Sequence, residues 1–153
     1  MLRRTYDNQV CSIARTLEIV GERWTLLIVR DALLGLRRFD EFRESLGLAR
    51  NVLSDRLARL VEAGILDRVR YQEHPERYEY RLTAKGRDLS GALIGLMHWG
   101  DKHLAGAAGP PRFTRHAGCG GDVVTRFVCT DCGERVPPGA LDMRLNPALA
   151  TQG

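Results

Sequence analysis

The sequence predicts a mainly α-helical fold with one small β-hairpin and a separate, cysteine-containing module near its C-terminal end. Three observations lead to this prediction. Apolar residues recur at helical spacing over the first two thirds of the chain, this period changes to alternation after Gly64, and helical patterning stops in a run of small residues, Gly and Pro at 105–111. With 153 residues and 44% hydrophobic content, the chain can form one core and an appendage.

The composition is compatible with nucleic acid as a partner. The net charge is +4, and all of the 23 basic residues except Lys85 and Lys102 are arginines. Arginine suits phosphates and guanine edges, although GC-rich coding gives the same bias. The sequence has no apolar run of membrane-spanning length and no signal-peptide core, so we expect a cytoplasmic protein. Because thiols there are normally reduced, the four cysteines indicate metal or redox chemistry before structural disulfides.

Three helices are predicted in the first part of the chain. Apolar residues between 12 and 35 follow a helical period that is interrupted at Gly21, which indicates two helices. A shorter helix is predicted from about Phe39 to Leu46, and Gly47 supplies its stop signal.

A fourth helix is predicted between Arg50 and Glu62, directly after the tight connection at 47–49. Its two faces differ in polarity: Leu53, Leu57 and Leu60 fall on one side, and Asn51, Asp55, Ala58 and Glu62 fall on the other. A short helix, a tight connection and an amphipathic helix form the layout of a helix-turn-helix.

A hairpin and a closing helix complete this region. Apolar and charged residues alternate on either side of the turn at 74–76, which predicts two strands with one basic, outward face. Thr83 is then placed to cap a single helix that runs to about Leu104.

This order of elements is that of a winged helix-turn-helix, and the stretch from Cys11 to Gly100 resembles the HxlR family of bacterial regulators. Seven segments carry the resemblance in order: Cys11–Arg15, Gly21–Trp24, Arg38–Phe39, Leu53–Leu57, Ala63–Leu66, Tyr80–Gly86 and Trp99–Gly100. The resemblance implies a homodimeric repressor or activator that dimerises through the first and last helices of the domain and reads a palindromic operator in double-stranded DNA.

The residues predicted to meet DNA lie on the fourth helix and on the hairpin. Arg50, Asn51, Ser54 and Asp55 occupy the first turn and a half of the helix, where base edges or nearby phosphates are within reach; the alternative is a solvated face. Arg68, Arg70, Arg77 and Arg81 are candidates for phosphate or minor-groove contact, against the alternative of pairing with Glu73, Glu76 and Glu79. Ala49 departs from the family, which often has a capping Ser there, so the register of the base-facing residues is open.

Cys11 is a candidate redox sensor. It precedes the first helix, and Arg15 follows one turn later; a helix N-terminus and a guanidinium both favour the reactive thiolate. Some members of the family use a cysteine here to sense oxidants or electrophiles. The alternative is a small apolar side chain buried at the dimer interface.

The C-terminal part carries a predicted structural zinc site. His116 and Cys119, then Cys129 and Cys132, give two pairs of ligands, and a glycine follows each pair. Four N and S ligands suit tetrahedral Zn²⁺, and a ribbon this small needs such a cross-link; we expect a hairpin over 122–128, between the pairs. The alternatives are a vestigial site or oxidised cysteines. Because all four positions are filled by protein and no acid or base motif accompanies them, we expect no enzyme.

These expectations divide the chain into five parts. They are an N-terminal arm (1–10), a winged helix-turn-helix domain for DNA binding and dimerisation (11–105), a linker (106–112), a zinc-ribbon-like module (113–147) and a tail (148–153). The alternative function is a winged-helix protein-interaction module whose zinc ribbon docks a partner. The sequence indicates no membrane association and identifies no small-molecule effector.

Overall fold

The computed structural model describes Tyr6 and residues 11–150, without the side chains of the last two. The predicted N-terminal arm therefore lies outside the described residues except for Tyr6, as do the last three residues of the tail. The elements are α1 (Ser12–Val20), α2 (Thr25–Leu33), α3 (Phe39–Leu46), α4 (Arg50–Glu62), β1 (Leu66–Gln72), β2 (Arg77–Leu82), α5 (Ala84–Asp88), α6 (Ser90–Leu104), β3 (Phe127–Val128), β4 (Arg135–Val136), a 3₁₀ turn (Pro138–Ala140) and α7 (Pro147–Ala150). The chain forms two compact units, which divide between Leu96 and Met97 inside α6.

The four predicted helices of the first unit are confirmed. Gly47 ends α3 in the left-handed conformation, with a φ of 63°, which a residue with a side chain adopts only under strain. At the other end of α3, a carboxylate oxygen of Glu41 accepts hydrogen bonds of 2.8 Å from the backbone N–H groups of Arg37 and Arg38. These contacts give α3 the sharp limits that a helix-turn-helix requires.

Ala49 precedes α4 and provides no side-chain cap, as its chemistry predicts. The helix is held by its apolar face instead, because Leu53 and Leu57 are completely buried and Leu60 is nearly so. They join a single core with Ile28, Val29, Phe42, Leu48, Ile65 and Leu66. Burying a Leu side chain contributes about 1.5–3 kcal/mol, so this face fixes which side of α4 remains exposed.

The wing is an antiparallel hairpin, but its arginines do not share one face. Arg68 pairs with Tyr80 and Arg70 with Tyr78, whereas Arg81 pairs with Asp67 and Arg77 with Gln72 after a bulge at Tyr71. Residues directly opposite each other project from the same face, so each face carries two arginines. The prediction of one basic, outward face is therefore wrong. The alternation of residues along each strand does not reveal the register in which the two strands pair.

The closing helix is divided into α5 and α6 by a turn at Leu89, where the sequence predicted one helix. Thr83 caps α5 as predicted, since its Oγ1 accepts a hydrogen bond of 3.0 Å from the N–H of Gly86. A Cβ at Gly86 would lie 2.2 Å from the carbonyl oxygen of Ile65, so α5 packs directly on the backbone that leads into β1.

The second unit is held mainly by turns and short pairings. Strands β3 and β4 pair around the cysteines at 129 and 132, and an isolated bridge joins Arg115 to Asp122 around His116 and Cys119. The hairpin predicted over 122–128 is thus misplaced, because Phe127 and Val128 pair with a later segment rather than with residues just before them. No residue described from 97 to 148 is buried.

In the described residues no helix is both long and apolar enough to cross a membrane.

Candidate nucleic-acid interface

The exposed end of α4 presents the residues that the sequence predicted for DNA reading. Arg50, Asn51, Ser54 and Asp55 are all exposed, within the first six residues of the helix. Their side chains offer a guanidinium, an amide, a hydroxyl and a carboxylate, which are the groups that recognise base edges in the major groove. The structure therefore brings these four residues together on one accessible surface.

Two of these residues already have contacts within the chain. The guanidinium of Arg50 lies 5.0 Å from the centre of the Phe39 ring, and its Nη2 is 3.7 Å from Oδ1 of Asp40. A carboxylate oxygen of Asp55 is 3.2 Å from Nε of Arg59 and 3.4 Å from Nη1 of Arg56. Asn51 and Ser54 have no ion pair or side-chain hydrogen bond among the contacts that the described residues make, and DNA reading by these four residues stays a prediction.

Sequence reasoning missed Arg56, which ties α4 to the turn before α2. Its side chain is only 17% exposed, and its Nη2 lies 3.2 Å from a carboxylate oxygen of Glu22. Arg56 lies on the border between the apolar and polar faces of α4. This location was the only sign in the sequence that its side chain would be partly buried.

Sequence reasoning also missed Asp31, a carboxylate that is 2% exposed. One of its oxygens accepts a hydrogen bond of 2.6 Å from Oγ of Ser45, and the other is 2.7 Å from a guanidinium nitrogen of Arg30. Because a buried carboxylate is costly without partners, these contacts fasten α2 to α3. The available signal was an acidic residue next to Arg30 in a helix that is otherwise mostly apolar.

In the described residues, two of the four wing arginines contact carboxylates, and the other two do not. Arg70 lies 3.1 Å from Glu76, and Arg81 lies 3.0 Å from Glu79. The guanidinium of Arg68 stacks 3.7 Å above the ring of Tyr78. Within the described part of the chain, Arg77 has no ion pair. Pairing thus holds for two of the four, while DNA contact stays a prediction for all of them.

The wing is fixed to α3 through the chain that precedes this helix. The N–H of Tyr80 donates a hydrogen bond of 2.7 Å to the carbonyl of Arg37, and Arg38 forms an isolated bridge with Glu79. The guanidinium of Arg38 also lies 5.1 Å from the centre of the Tyr71 ring. Since α3 also packs against α4, the helix and the wing share a common support.

Cys11 occupies the N-cap position of α1 and is exposed. Its carbonyl accepts the first helical hydrogen bond, of 3.1 Å, from the N–H of Arg15. The predicted helix-terminal location is therefore correct, while oxidant sensing by this thiol stays a prediction.

The two residue pairs predicted as zinc ligands, His116 with Cys119 and Cys129 with Cys132, lie in turns of the same backbone pattern. The N–H of His116 donates to the carbonyl of Gly121, and that of Cys129 donates to the carbonyl of Glu134, each at 2.9 Å. The N–H of the glycine that follows each pair, Gly120 or Gly133, donates to the carbonyl of the first ligand, at 2.7 and 3.0 Å. Both glycines have a positive φ, which this tight curl requires.

Within each turn the two ligand side chains face each other. Nδ1 of His116 lies 3.2 Å from Sγ of Cys119. The backbone N–H groups of Cys132 and Asp131, then the thiol of Cys132, donate to the sulfur of Cys129 and lower the pKa of Cys129. In the described residues, however, no group of three or more His, Cys, Asp or Glu side chains converges as a metal site, so zinc binding by these pairs stays a prediction.

Helix α3, the amphipathic helix α4 with its exposed polar N-terminal end, and the adjoining β1–β2 hairpin together define a winged helix-turn-helix protein. The profile of the HxlR-like helix-turn-helix family matches residues 19–107. The HTH-type transcriptional regulator Rv3095 of Mycobacterium tuberculosis is 53% identical over 125 residues, which are 82% of this chain and 79% of the relative. The chain belongs to the HxlR-like family and is a transcriptional regulator with a helix-turn-helix domain.

Solved structures agree with this assignment. The crystal structure of PA1607, described as a candidate transcription factor, has 34% identity and a TM-score of 0.82, and covers 92% of this chain and 99% of its own. The reduced form of the redox regulator HypR has 29% identity and a TM-score of 0.57, and covers 60% of this chain and 92% of its own. The relatives and structural neighbours are transcription regulators and not enzymes, as the sequence predicted.

Proposed function

We propose that this regulator binds a palindromic DNA operator as a homodimer, with α4 of each chain in the major groove and the wing beside it. The observation that carries the proposal is the division of α4 into a buried apolar face and an exposed polar N-terminal end. A reading helix needs both features, because the buried face fixes the orientation in which the exposed groups meet the bases.

Asn51 and Arg50 are the proposed base-reading residues. An amide can bond adenine with two hydrogen bonds, and a guanidinium can do the same with guanine. Arg50 is exposed but steadied by Phe39 and Asp40, so its approach to DNA requires only the exchange of a weak ion pair of 3.7 Å. Asp55 acts on DNA indirectly in this proposal, by orienting Arg56 and Arg59, to which it is already paired.

The two faces of the wing supply different contacts. Arg77 has no competing carboxylate among its described contacts, so it is the proposed phosphate ligand on one face. On the other face, Arg68 is stacked over the ring of Tyr78 and has no carboxylate partner among its described contacts, so its N–H groups remain available for a phosphate. Arg70 and Arg81 must exchange their glutamate partners for phosphates, so their net contribution to binding is smaller.

The homodimer is supported by apolar surface on α1 and α6. Ile13 and Leu17 lie one turn apart on α1 and are 66% and 41% exposed. On α6, Leu96 and Trp99 are 56% and 58% exposed. Helix α6 has no buried residue although it contains six large apolar side chains, Leu93, Ile94, Leu96, Met97, Trp99 and Leu104. Surfaces of this kind mark places where another chain packs.

The alternative function, a winged-helix module that binds another protein through its second unit, is not favoured by the relatives, which are transcriptional regulators.

The DNA contacts are tested with a site selected from a random duplex library by the purified protein. Asn51→Ala is expected to weaken binding to that site by about 1–3 kcal/mol while binding to unrelated DNA stays unchanged. Arg77→Ala is expected to weaken both and to lower the slope of log K against log salt by about one. Arg144→Ala, which removes an exposed arginine of the second unit, serves as the charge-matched control. Equal losses on both DNAs for Asn51→Ala would contradict base reading by this residue.

The dimer is tested by analytical ultracentrifugation of the wild-type chain and of Trp99→Asp. The wild-type chain is expected to sediment with twice the mass of one chain, and Trp99→Asp with the mass of one, because a carboxylate cannot be buried unpaired in an apolar interface. Met143→Asp places the same charge on a side chain that is 91% exposed and should remain dimeric. A wild-type chain that sediments as a monomer at micromolar concentration would overturn this part of the proposal.

A further inference from the structure

We propose that His116, Cys119, Cys129 and Cys132 together bind one Zn²⁺ ion per chain, and that this ion joins the two turns of the second unit. The family profile matches residues 19–107 of this chain, so neither the family match nor the proposed DNA binding includes this site. The proposal rests on the geometry of each turn and on how little else holds the unit together.

The first turn already has the spacing of two ligands on one metal ion. With a Zn–S distance of about 2.3 Å and a Zn–N distance of about 2.0 Å at a tetrahedral angle, the N and S atoms lie about 3.5 Å apart. Nδ1 of His116 and Sγ of Cys119 are 3.2 Å apart. A Cβ at Gly118 would lie 3.0 Å from Cε1 of His116, so the imidazole ring is folded back over this glycine and toward the cysteine. The geometry identifies Nδ1 as the donor atom.

The second turn repeats the first with two sulfur ligands. The same pair of backbone hydrogen bonds closes it. The two turns share one backbone pattern and together supply three sulfur ligands and one nitrogen ligand for a closed tetrahedral site.

The rest of the unit needs a cross-link. Strands of two residues do not form a stable hairpin by themselves, and no residue described from 97 to 148 is buried. The four side chains do not converge in the described residues, so the proposal requires the two turns to approach each other when the ion binds. On binding, the three thiols release their protons to solvent and ligate as thiolates, while the imidazole binds through its neutral form.

The choice of Zn²⁺ follows from the donor set. Three thiolates and one imidazole suit a borderline-soft, tetrahedral ion, whereas Mg²⁺ and Ca²⁺ prefer oxygen ligands. All four positions are filled by protein, so the ion is structural and no position is left for a reacting water.

The test measures zinc and free thiols on the full-length protein, purified without chelator or a metal-affinity column and then loaded with zinc. About one zinc per chain is expected, with three thiols blocked and released together by a mercurial reagent. Cys129→Ser and His116→Ala are expected to lose zinc, while Cys11→Ser retains it. Substitution by Co²⁺ should give the intense visible absorption of a tetrahedral, thiolate-bound ion. Gly118→Ala, which crowds His116, should lower zinc affinity about 10–100-fold, whereas Gly139→Ala, which crowds nothing, should not.

Each of three results would overturn the proposal. The first is a zinc content near zero with all thiols free after zinc loading, and the second is full zinc content in Cys129→Ser. The third is one zinc for every two chains, since the ion then joins chains instead of turns. Far-ultraviolet circular dichroism on each variant verifies that the first unit remains folded, so loss of zinc is distinguished from general unfolding. DNA binding is not part of the readout, so this proposal and the proposed function can fail separately.

Discussion

The two units of this chain are stabilised in different ways. The first unit buries ten apolar residues between Val20 and Leu66, nine of them in one core, whereas no residue described from 97 to 148 is buried. The first unit therefore depends on apolar burial, and the second depends on hydrogen-bonded turns and, in our proposal, on a metal ion. Equivalent substitutions in the two units should have very different effects on the unfolding of the helix-turn-helix region, and this difference can be measured.

The largest difference is expected between two large apolar residues. Phe42→Ala should lower the free energy of unfolding of the first unit by about 3–5 kcal/mol, because the ring is completely buried and its removal leaves a cavity. Met143→Ala in the second unit should change it by less than about 0.5 kcal/mol, since that side chain is 91% exposed. Chemical denaturation followed by far-ultraviolet circular dichroism gives both values. Similar losses for both variants would contradict the contrast between the units.

Two glycines extend the comparison to the backbone. Gly86→Ala should cost about 1–3 kcal/mol, because its new methyl group would lie 2.2 Å from the carbonyl oxygen of Ile65 and α5 must move. Gly106→Ala should leave the first unit unchanged, since nothing lies within 4 Å of the added carbon and φ there is not positive. Thermal unfolding of the two variants measures the difference. If Gly86→Ala melts at the wild-type temperature, the close packing of α5 on Ile65 is wrong.

A smaller effect is expected at a helix cap. Thr83→Ala removes the acceptor for the N–H of Gly86 and a donor of 2.7 Å to the carbonyl of Gly64, so it should cost about 1 kcal/mol. Thr125→Ala in the second unit removes a hydroxyl that lies 2.9 Å from Nδ1 of His98, and it should not shift the unfolding of the first unit. Denaturation midpoints of the two variants test this, and an unshifted midpoint for Thr83→Ala would count against the cap.

The smallest effect is a pH-dependent one at Glu41. The backbone N–H groups of Arg37 and then Arg38 lower the pKa of Glu41 below its ordinary value of 4.5. A carboxyl group with a lowered pKa in the folded state stabilises the fold above its unfolded pKa, and this contribution is lost as the pH falls through the folded pKa. At neutral pH, Glu41→Gln should therefore cost about 0.3 kcal/mol, a low value because the group is exposed. The difference from wild type should shrink below pH 4.5, and a difference that grows there would contradict the assignment.

The sequence predicted the helix-turn-helix well because local signals and burial agree there. The glycine at 47 and the leucines of α4 locate α3 and α4 to the residue. The division between α5 and α6 was missed because Leu89 continues the apolar stripe of Leu93 and Leu96, so no local signal marks the turn. The wing was predicted, but its bulge at Tyr71 and the resulting distribution of arginines over two faces depend on cross-strand register, which periodicity does not contain.

The candidate site was predicted in part for similar reasons. Exposure of Asn51 and Asp55 follows from their position opposite the apolar face of α4, and exposure of Arg50 follows from its place at the start of the helix. Ser54 lies beside the apolar face and is also exposed. The buried Asp31 and its partner Ser45 are 14 positions apart, so their contact arises only from the packing of α2 on α3. In the second unit, the spacing of His and Cys located the two turns, while the valine-rich run at 123–128 misdirected the strand prediction because the pairing partner of β3 lies later in the chain.

The most direct test of the proposed function is the symmetry of the selected DNA site together with the number of chains bound to it. Duplexes are selected from a random library by the wild-type protein, sequenced, and then measured as complexes by native mass spectrometry. The account predicts a two-fold symmetric site that binds two chains, with half-sites about one helical turn apart. A site without symmetry, a complex with one chain, or binding that is blind to sequence would contradict it.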